Sequence, residues 1–283
     1  MTVTTASSSG RPRSAAEGRR LDAELVRRGL ARSRGQAREL IVAGDVRVDG
    51  RVRTKPSLSV RPDTDIALTA EPERWVGRAA YKLLGALEVF APRGLAIAGR
   101  RCLDVGASTG GFTQVLLEAG AAHVTALDVG HGQLVEELAQ DPRVEERSGA
   151  NIRDACAESL GGAFDVVVAD LSFISLRLTL PSIAALLRPA ADLVVLVKPQ
   201  FEVGRERVGR TGVVTSRVEH ARVLWDVTAQ VVTLGLGVLD LVPSPIRGGD
   251  GNREYLLWVT PRADEGLGPG AVEALIEHVK GRP

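Results

Sequence analysis

The stretch with the most chemical potential is Leu103-Asp104-Val105-Gly106-Ala107-Ser108-Thr109-Gly110-Gly111-Phe112-Thr113, an apolar run that reaches an acid, a glycine turn and the start of a helix. Glycines admit a ligand to the backbone with no Cβ in the way, and the first turn of a helix offers unpaired N–H groups. Asp128 ends the next apolar run, at about the distance where a nucleotide-binding fold carries its ribose-binding carboxylate. Two further apolar runs end in Asp170 and Lys198. A single polar residue is a common way to leave a sheet, but four of them beside a glycine turn mark one ligand-facing edge.

The turn narrows the cofactor. A dinucleotide fingerprint needs a glycine where Ser108 stands, and a triphosphate loop needs a lysine that does not follow Gly110 or Gly111. An adenosine-bearing cofactor without phosphates remains, and S-adenosylmethionine fits. Asp128 would take its ribose hydroxyls, and the glycine turn with Asp104 would face its amino-acid end. The candidate contacts are Asp104, Gly106, Ser108, Gly110, Gly111, Asp128 and Asn151, with Asp170 at the edge of the site. Asn151 is chosen from its position after the third strand, where such folds meet the adenine.

The elements that must position these residues follow from pattern. Apolar runs at Cys102–Asp104, His123–Asp128, Val144–Arg147, Phe164–Asp170, Leu193–Lys198, Val238–Val242 and Tyr255–Thr260 alternate with helical segments. Near-continuous apolar runs are expected of parallel strands covered on both faces. The expectation is an α/β fold, a doubly wound seven-stranded sheet over 77–283 with its ligands at the carboxyl ends of the strands. Gly77 to Phe90 reads as an amphipathic helix striped by Leu83, Leu84, Leu87 and Phe90, with Lys82 ordinarily a surface charge. The 202–216 segment, rich in glycine and arginine, reads as a loop that could cover a substrate.

Charge divides the chain. Residues 1–61 hold 14 Lys/Arg against 6 Asp/Glu, and the other 222 hold 22 against 29. A basic module on a mildly acidic body suggests a polyanionic partner. Residues 1–18 read as a disordered basic arm. A helical pattern starts at Arg19, and Ser33 with Gln36 reads as a capping box for a second helix carrying Arg34 and Arg38 on one face. Val46-Arg47-Val48-Asp49-Gly50-Arg51-Val52 reads as a tight hairpin. Residues 69–76 read as a linker, its Trp75 packing between the domains.

Cys102, Cys156 and four scattered histidines give no disulfide framework and no zinc spacing, so no metal is expected. Met1–Gly10 has no apolar core and no 18-residue apolar run occurs, so a cytoplasmic, non-membrane protein is expected.

Two resemblances extend this reading. Arg19-Arg20-Leu21-Asp22, Ser33-Arg34-Gly35-Gln36-Ala37 and Gly44-Asp45-Val46-Arg47-Val48-Asp49-Gly50 resemble the small α+β RNA-binding domain shared by a ribosomal small-subunit protein and many pseudouridine synthases, over 19–68. That resemblance implies contact with structured RNA through Arg19, Arg20, Arg34 and Arg38, with Arg205 and Arg207 of the later loop as further candidates. The stretches 104–113, 169–175 (Ala-Asp-Leu-Ser-Phe-Ile-Ser) and 197–202 (Val-Lys-Pro-Gln-Phe-Glu), behind that domain, resemble the haemolysin-named TlyA-type ribosomal RNA methyltransferases. Its catalytic half is similar to RNA ribose 2′-O-methyltransferases, whose Lys-Asp-Lys-Glu set falls on Lys82, Asp170, Lys198 and Glu254. The resemblance implies ribosomal RNA or ribosomal subunits as partner and a cytidine ribose as target.

These residue types suit that chemistry. A ribose hydroxyl attacking a sulfonium methyl must shed its proton at or near the transition state. Lysine, with a reference pKa of about 10.4, is protonated at neutral pH; a neighbouring cation favours loss of its proton and neighbouring carboxylates oppose it. Lys198 is therefore the candidate to orient and help deprotonate the hydroxyl, inside a cage of Lys82, Asp170 and Glu254. Competing readings are a membrane-active cytolysin, a methyltransferase acting on a protein or small molecule, and a non-catalytic RNA-binding assembly factor.

Overall fold

The structure, a computed structural model, describes residues 18–32, 34–69, 73–204, 207–208 and 212–281. The expected basic arm up to residue 17, Ser33 of the expected capping box, and Arg205 lie outside the described residues. The chain divides into two compact units between Arg74 and Trp75.

In the first unit, β1 (Arg19–Arg20) leads directly into α1 (Leu21–Arg27), followed by α2 (Arg34–Ala43), β2 (Val46–Val48), β3 (Arg51–Val52), β4 (Ser59–Val60) and β5 (Ile66–Leu68). The helix expected from Arg19 begins two residues later, because Arg19 and Arg20 pair as a strand with Val60 and Ser59. Asp49 and Gly50, both at positive φ, turn the β2–β3 hairpin, and β5 pairs with the other edge of β2. Leu21, Leu25, Ala37, Ile41, Val46 and Val60 fill the core. Two acids are buried at its margin. Glu24 is gripped by Arg27 at 2.6 Å and Arg28 at 2.8 Å. Asp22 gathers Arg20 (2.7 Å), Arg38 (3.4 Å) and Arg34 (3.6 Å). These guanidinium contacts hold both carboxyls down at about 2, Glu24 chiefly through Arg27 and Asp22 chiefly through Arg20.

The second unit opens with α3 (Ala80–Phe90) and alternates β6 (Arg101–Val105), α4 (Gly111–Glu118), β7 (His123–Asp128), α5 (Glu136–Ala139), β8 (Val144–Ser148), β9 (Phe164–Ala169), α6 (Leu176–Ala184), β10 (Leu187–Val197), α7 (Pro199–Glu202), α8 (Arg217–Thr233), β11 (Gly237–Pro243), β12 (Tyr255–Thr260) and α9 (Pro269–Gly281). The sheet order is β11-β12-β10-β9-β6-β7-β8. From β10 to β8 neighbours are parallel, whereas β12 runs antiparallel to both β10 and β11. The order reverses between β6 and β9, which opens a crevice beyond their carboxyl ends.

Alternation along the strands builds two cores. Leu103, Val167, Val195 and Leu257 face one cluster with Val223 and Ile276 of α8 and α9. Cys102, Val166, Val168, Leu196 and Leu256 face the other, with Leu83, Phe90 and Phe112. Burial of Leu83 and Phe90 contributes roughly 1.5–3 kcal/mol each. Trp75 belongs to this second cluster, so it packs in the core of its own unit and not as an interdomain wedge. The expected helix start at Gly77 also moves: Gly77–Ala79 form a turn, with Ala80 N–H bonded to Gly77 O, and α3 follows.

Candidate active site

Strand parity decides which side chains meet. Val168 and Leu196 point toward α3, so Asp170 and Lys198, two residues on, point the same way. Because β12 is reversed, its beginning lies at the carboxyl ends of β9 and β10, and Val197 pairs with Tyr255. Glu254 thus stands beside Lys198 and faces α3 as Leu256 does. Lys82 projects from α3 into the same space. Its Nζ lies 2.7 Å from Glu254 Oε2 and 3.3 Å from Asp170 Oδ2. Lys198 Nζ lies 2.5 Å from Asp170 Oδ1 and donates to Ser172 Oγ at 2.9 Å. Lys82, Lys198 and Glu254 are all less than one-tenth exposed. Buried charges of this kind persist only when paired, and here two cations meet two anions.

The four border a cleft of about 340 Å³ whose floor is Gly106, Ala107, Ser108, Thr109 and Gly111. Gly106 has φ +85°, and a Cβ there would stand 2.6 Å from Asp170 O. The turn therefore passes directly under the tetrad because its residue is glycine. A Cβ on Gly111 would stand 3.0 Å from Ala80 N, so that glycine lets α3 approach the head of α4. At the mouth, Phe173 is 92% exposed at φ +64°, its ring centroid 5.2 Å from that of Phe201.

The sequence match agrees with this geometry. Residues 75–260 match the FtsJ-like methyltransferase family and 19–66 the S4 domain. TlyA of Mycobacterium tuberculosis, a 16S/23S rRNA (cytidine-2'-O)-methyltransferase, is 51% identical over 260 residues, 92% of this chain and 96% of that protein. The chain belongs to the TlyA family. Haemolysin A of Brachyspira hyodysenteriae is 37% identical over 84% of this chain and 98% of that protein. A solved haemolysin-named structure from Streptococcus thermophilus has a TM-score of 0.69 at 38% identity, covering 94% of this chain and 96% of that one.

In this TlyA-family methyltransferase the remaining sequence candidates take distinct places. Gly106, Ser108 and Gly111 line the cleft; Asp104, Gly110, Asp128 and Asn151 do not. Asp104 is fully buried beneath the turn, accepting from Thr113 Oγ1 at 2.7 Å, and burial pushes its carboxyl up to about 7. Gly110 faces the side chains of Leu134 and Leu138, so its role is to let the turn settle on them. Asp128 shapes the turn from the side: Oδ2 accepts from Ser108 N at 2.8 Å and Oδ1 from Gly130 N at 2.7 Å. Asn151 caps a short 3-10 turn, accepting from Arg153 N at 3.0 Å. Arg207 lies 3.6 Å from Glu219, and Arg19 is exposed on β1. The sequence reading gave no role to Ser172, Phe173, Gln200 or Phe201, all of which border the cleft. Their signal was available, since each stands two or three residues beyond a candidate at a strand end.

Proposed function

We propose that this TlyA-family enzyme transfers the methyl group of S-adenosylmethionine to the 2′-hydroxyl of a cytidine in ribosomal RNA, acting in the cytoplasm on ribosomal subunits. The convergence of Lys82, Asp170, Lys198 and Glu254 above the glycine turn carries the reading. The cofactor fits the residues present. Gly106 and Gly111 line the cleft, Asp128 offers lone pairs beside the turn, and Asp104 Oδ1 is buried with no hydrogen-bond partner among the described residues. Gly106, Ser108, Gly111 and Asp128 would hold it, with Asp104 supporting the floor and Gly110 and Asn151 the rim. When bound, it supplies a methyl group already activated on a sulfonium.

The protein's own task is to place the hydroxyl and take its proton. Among the described residues Lys198 has one carboxylate neighbour, whereas Lys82 is held between two. Lys198, which also meets Ser172 at the cleft, is therefore the amine assigned to the 2′-hydroxyl, with Lys82 as its firmly held neighbour. Nζ of Lys198 would accept the proton of the 2′-hydroxyl as that oxygen takes the methyl group and the bond from the methyl carbon to sulfur breaks. Ser172 and Asp170 orient that Nζ. Exposed Phe173, backed by half-buried Phe201, offers a π-face on which a base can stack. Asp22 gathers Arg20, Arg34 and Arg38 into one cationic cluster suited to phosphates.

The haemolysin name of some relatives suggests membranes, but no described helix is long and apolar enough to cross one. The deciding experiment is transfer of labelled methyl to unmodified ribosomal subunits, with mapping of the product nucleotide. Transfer to a ribose hydroxyl by the wild type, lost in Lys198→Ala with cofactor binding retained, is the expected result. Methylation of a base or protein, or full activity in Lys198→Ala, would overturn it.

A further inference from the structure

A second cavity, of about 230 Å³, lies on the opposite face of the sheet from the tetrad. Glu254 faces α3, so its neighbours Arg253 and Tyr255 turn toward α8. The cationic border is Arg217, Arg247, Arg253 and Lys280, and none of the described lining residues is an acid. Its floor is a closed polar pair: the buried Tyr255 hydroxyl donates to His220 Nδ1 at 2.9 Å, and His220 Nε2–H donates to Val214 O at 2.8 Å. Burial, with Arg253 and Arg247 adding to it, holds the His220 imidazole below its usual value. The histidine is therefore neutral, and the cavity's charge comes from the three arginines, Lys280 being ion-paired with Glu277.

Three observations say what this cavity takes. Residues 62–283 carry more acids than bases, so four cations around one hollow are not the general character of the surface. Arg217 opens the 17-residue α8, whose first-turn N–H groups add positive potential. Guanidinium forks match phosphate oxygens two at a time. Arg247 and Arg253 also belong to the β11–β12 connection, 244–254, whose Gly249 and Asp250 border the reaction cleft. Buried Asn252 ties that connection to the irregular segment leading into α8, accepting from Val214 N at 2.9 Å and donating to Gly212 O at 2.9 Å.

Resting on the reading that the substrate is RNA, we propose that this cavity binds a phosphodiester of the substrate strand, at a nucleotide neighbouring the one whose ribose enters the cleft. Phosphate contact there draws the connection against the sheet and seats its Gly249–Asp250 tip at the cleft.

Arg217→Gln/Arg247→Gln tests this, since both side chains are exposed and neither has an acidic partner among the described residues. Binding of unmodified ribosomal RNA is measured against salt, with kcat and KM for methyl transfer alongside. The expected result is a fall in RNA affinity of about tenfold and a log–log salt slope shallower by about 0.7–0.9, one phosphate's share. The kinetic loss falls in KM, cofactor affinity is unchanged, and Arg247→Lys keeps most of the binding. An unaltered salt slope in the double variant overturns the site. Calorimetry with inorganic phosphate separates a second source: phosphate binding that the variant loses, with RNA binding intact, assigns the cavity to a free anion and also overturns the proposal. Failure of the wild type to methylate RNA would instead strike the functional reading, because the salt slope is read from binding alone.

Discussion

Among single residues, the acids of this protein divide by what surrounds them, and pH separates them. Asp104 has no cationic partner among the described residues, and burial raises its carboxyl to about 7. An acid whose native pKa exceeds its unfolded value weakens the fold as pH rises from about 4 through about 7, since its charge must then be buried. Asp104→Asn keeps an acceptor for Thr113 and has no such charge. Its melting temperature is therefore expected to exceed the wild type's above pH 7 and to converge with it near pH 4, as melts across that range will check. A difference constant with pH would show that the carboxyl does not titrate there. For Lys198→Ala, loss of a positioned base predicts a fall in kcat of about 10²–10⁴ at unchanged cofactor affinity, read by single-turnover methyl transfer. Glu254→Gln leaves Lys82 with one carboxylate and Lys198 as before, so its loss of kcat is expected to be smaller than that of Lys198→Ala.

At the level of elements, the glycine turn and the tetrad are one construction, because β6 and β9 are neighbours and Gly106 passes beneath Asp170 O. Gly106→Ala is expected to cost about 1–3 kcal/mol in stability through its strained φ and to displace Asp170. Denaturant unfolding and turnover should therefore fall together in that variant. In the first unit the acids behave oppositely to Asp104. Glu24 and Asp22 sit at about 2, so their contribution is present above about pH 4 and is lost as pH falls toward 2. Glu24→Gln should flatten that acid limb, followed by circular dichroism. These strands and glycines were legible in the sequence because apolar runs and turn residues are local signals. Lys82 was legible only through the family resemblance: by pattern alone a lysine on an amphipathic helix looks solvated, and its burial depends on Glu254, 172 positions away. Nor was the strand at Arg19–Arg20, whose partner Ser59–Val60 lies beyond both helices. The reversed direction of β12 left no trace in its apolar pattern either, since burial on both faces reads the same in either direction.

For the molecule as a whole, a basic first unit is joined to a body of slight negative charge, so RNA affinity should be concentrated in few cationic clusters and fall steeply with salt. Arg34→Gln/Arg38→Gln is expected to weaken RNA binding uniformly across sequences and to lower the salt slope, with cofactor binding unaltered; filter binding at several ionic strengths measures both. The reversal of β12 has one more consequence. Glu254 and Tyr255 serve opposite faces of the sheet, so the strand tolerates no change of phase. Residues added at the Gly249–Asp250 tip would alter the rim of the cleft but leave the strand in phase, whereas one inserted after Asn252 would turn Arg253 into the lysine cage and the carboxylate toward His220. The loop can thus change length at its tip without disturbing the sheet, while the parity of the residues after its asparagine must hold.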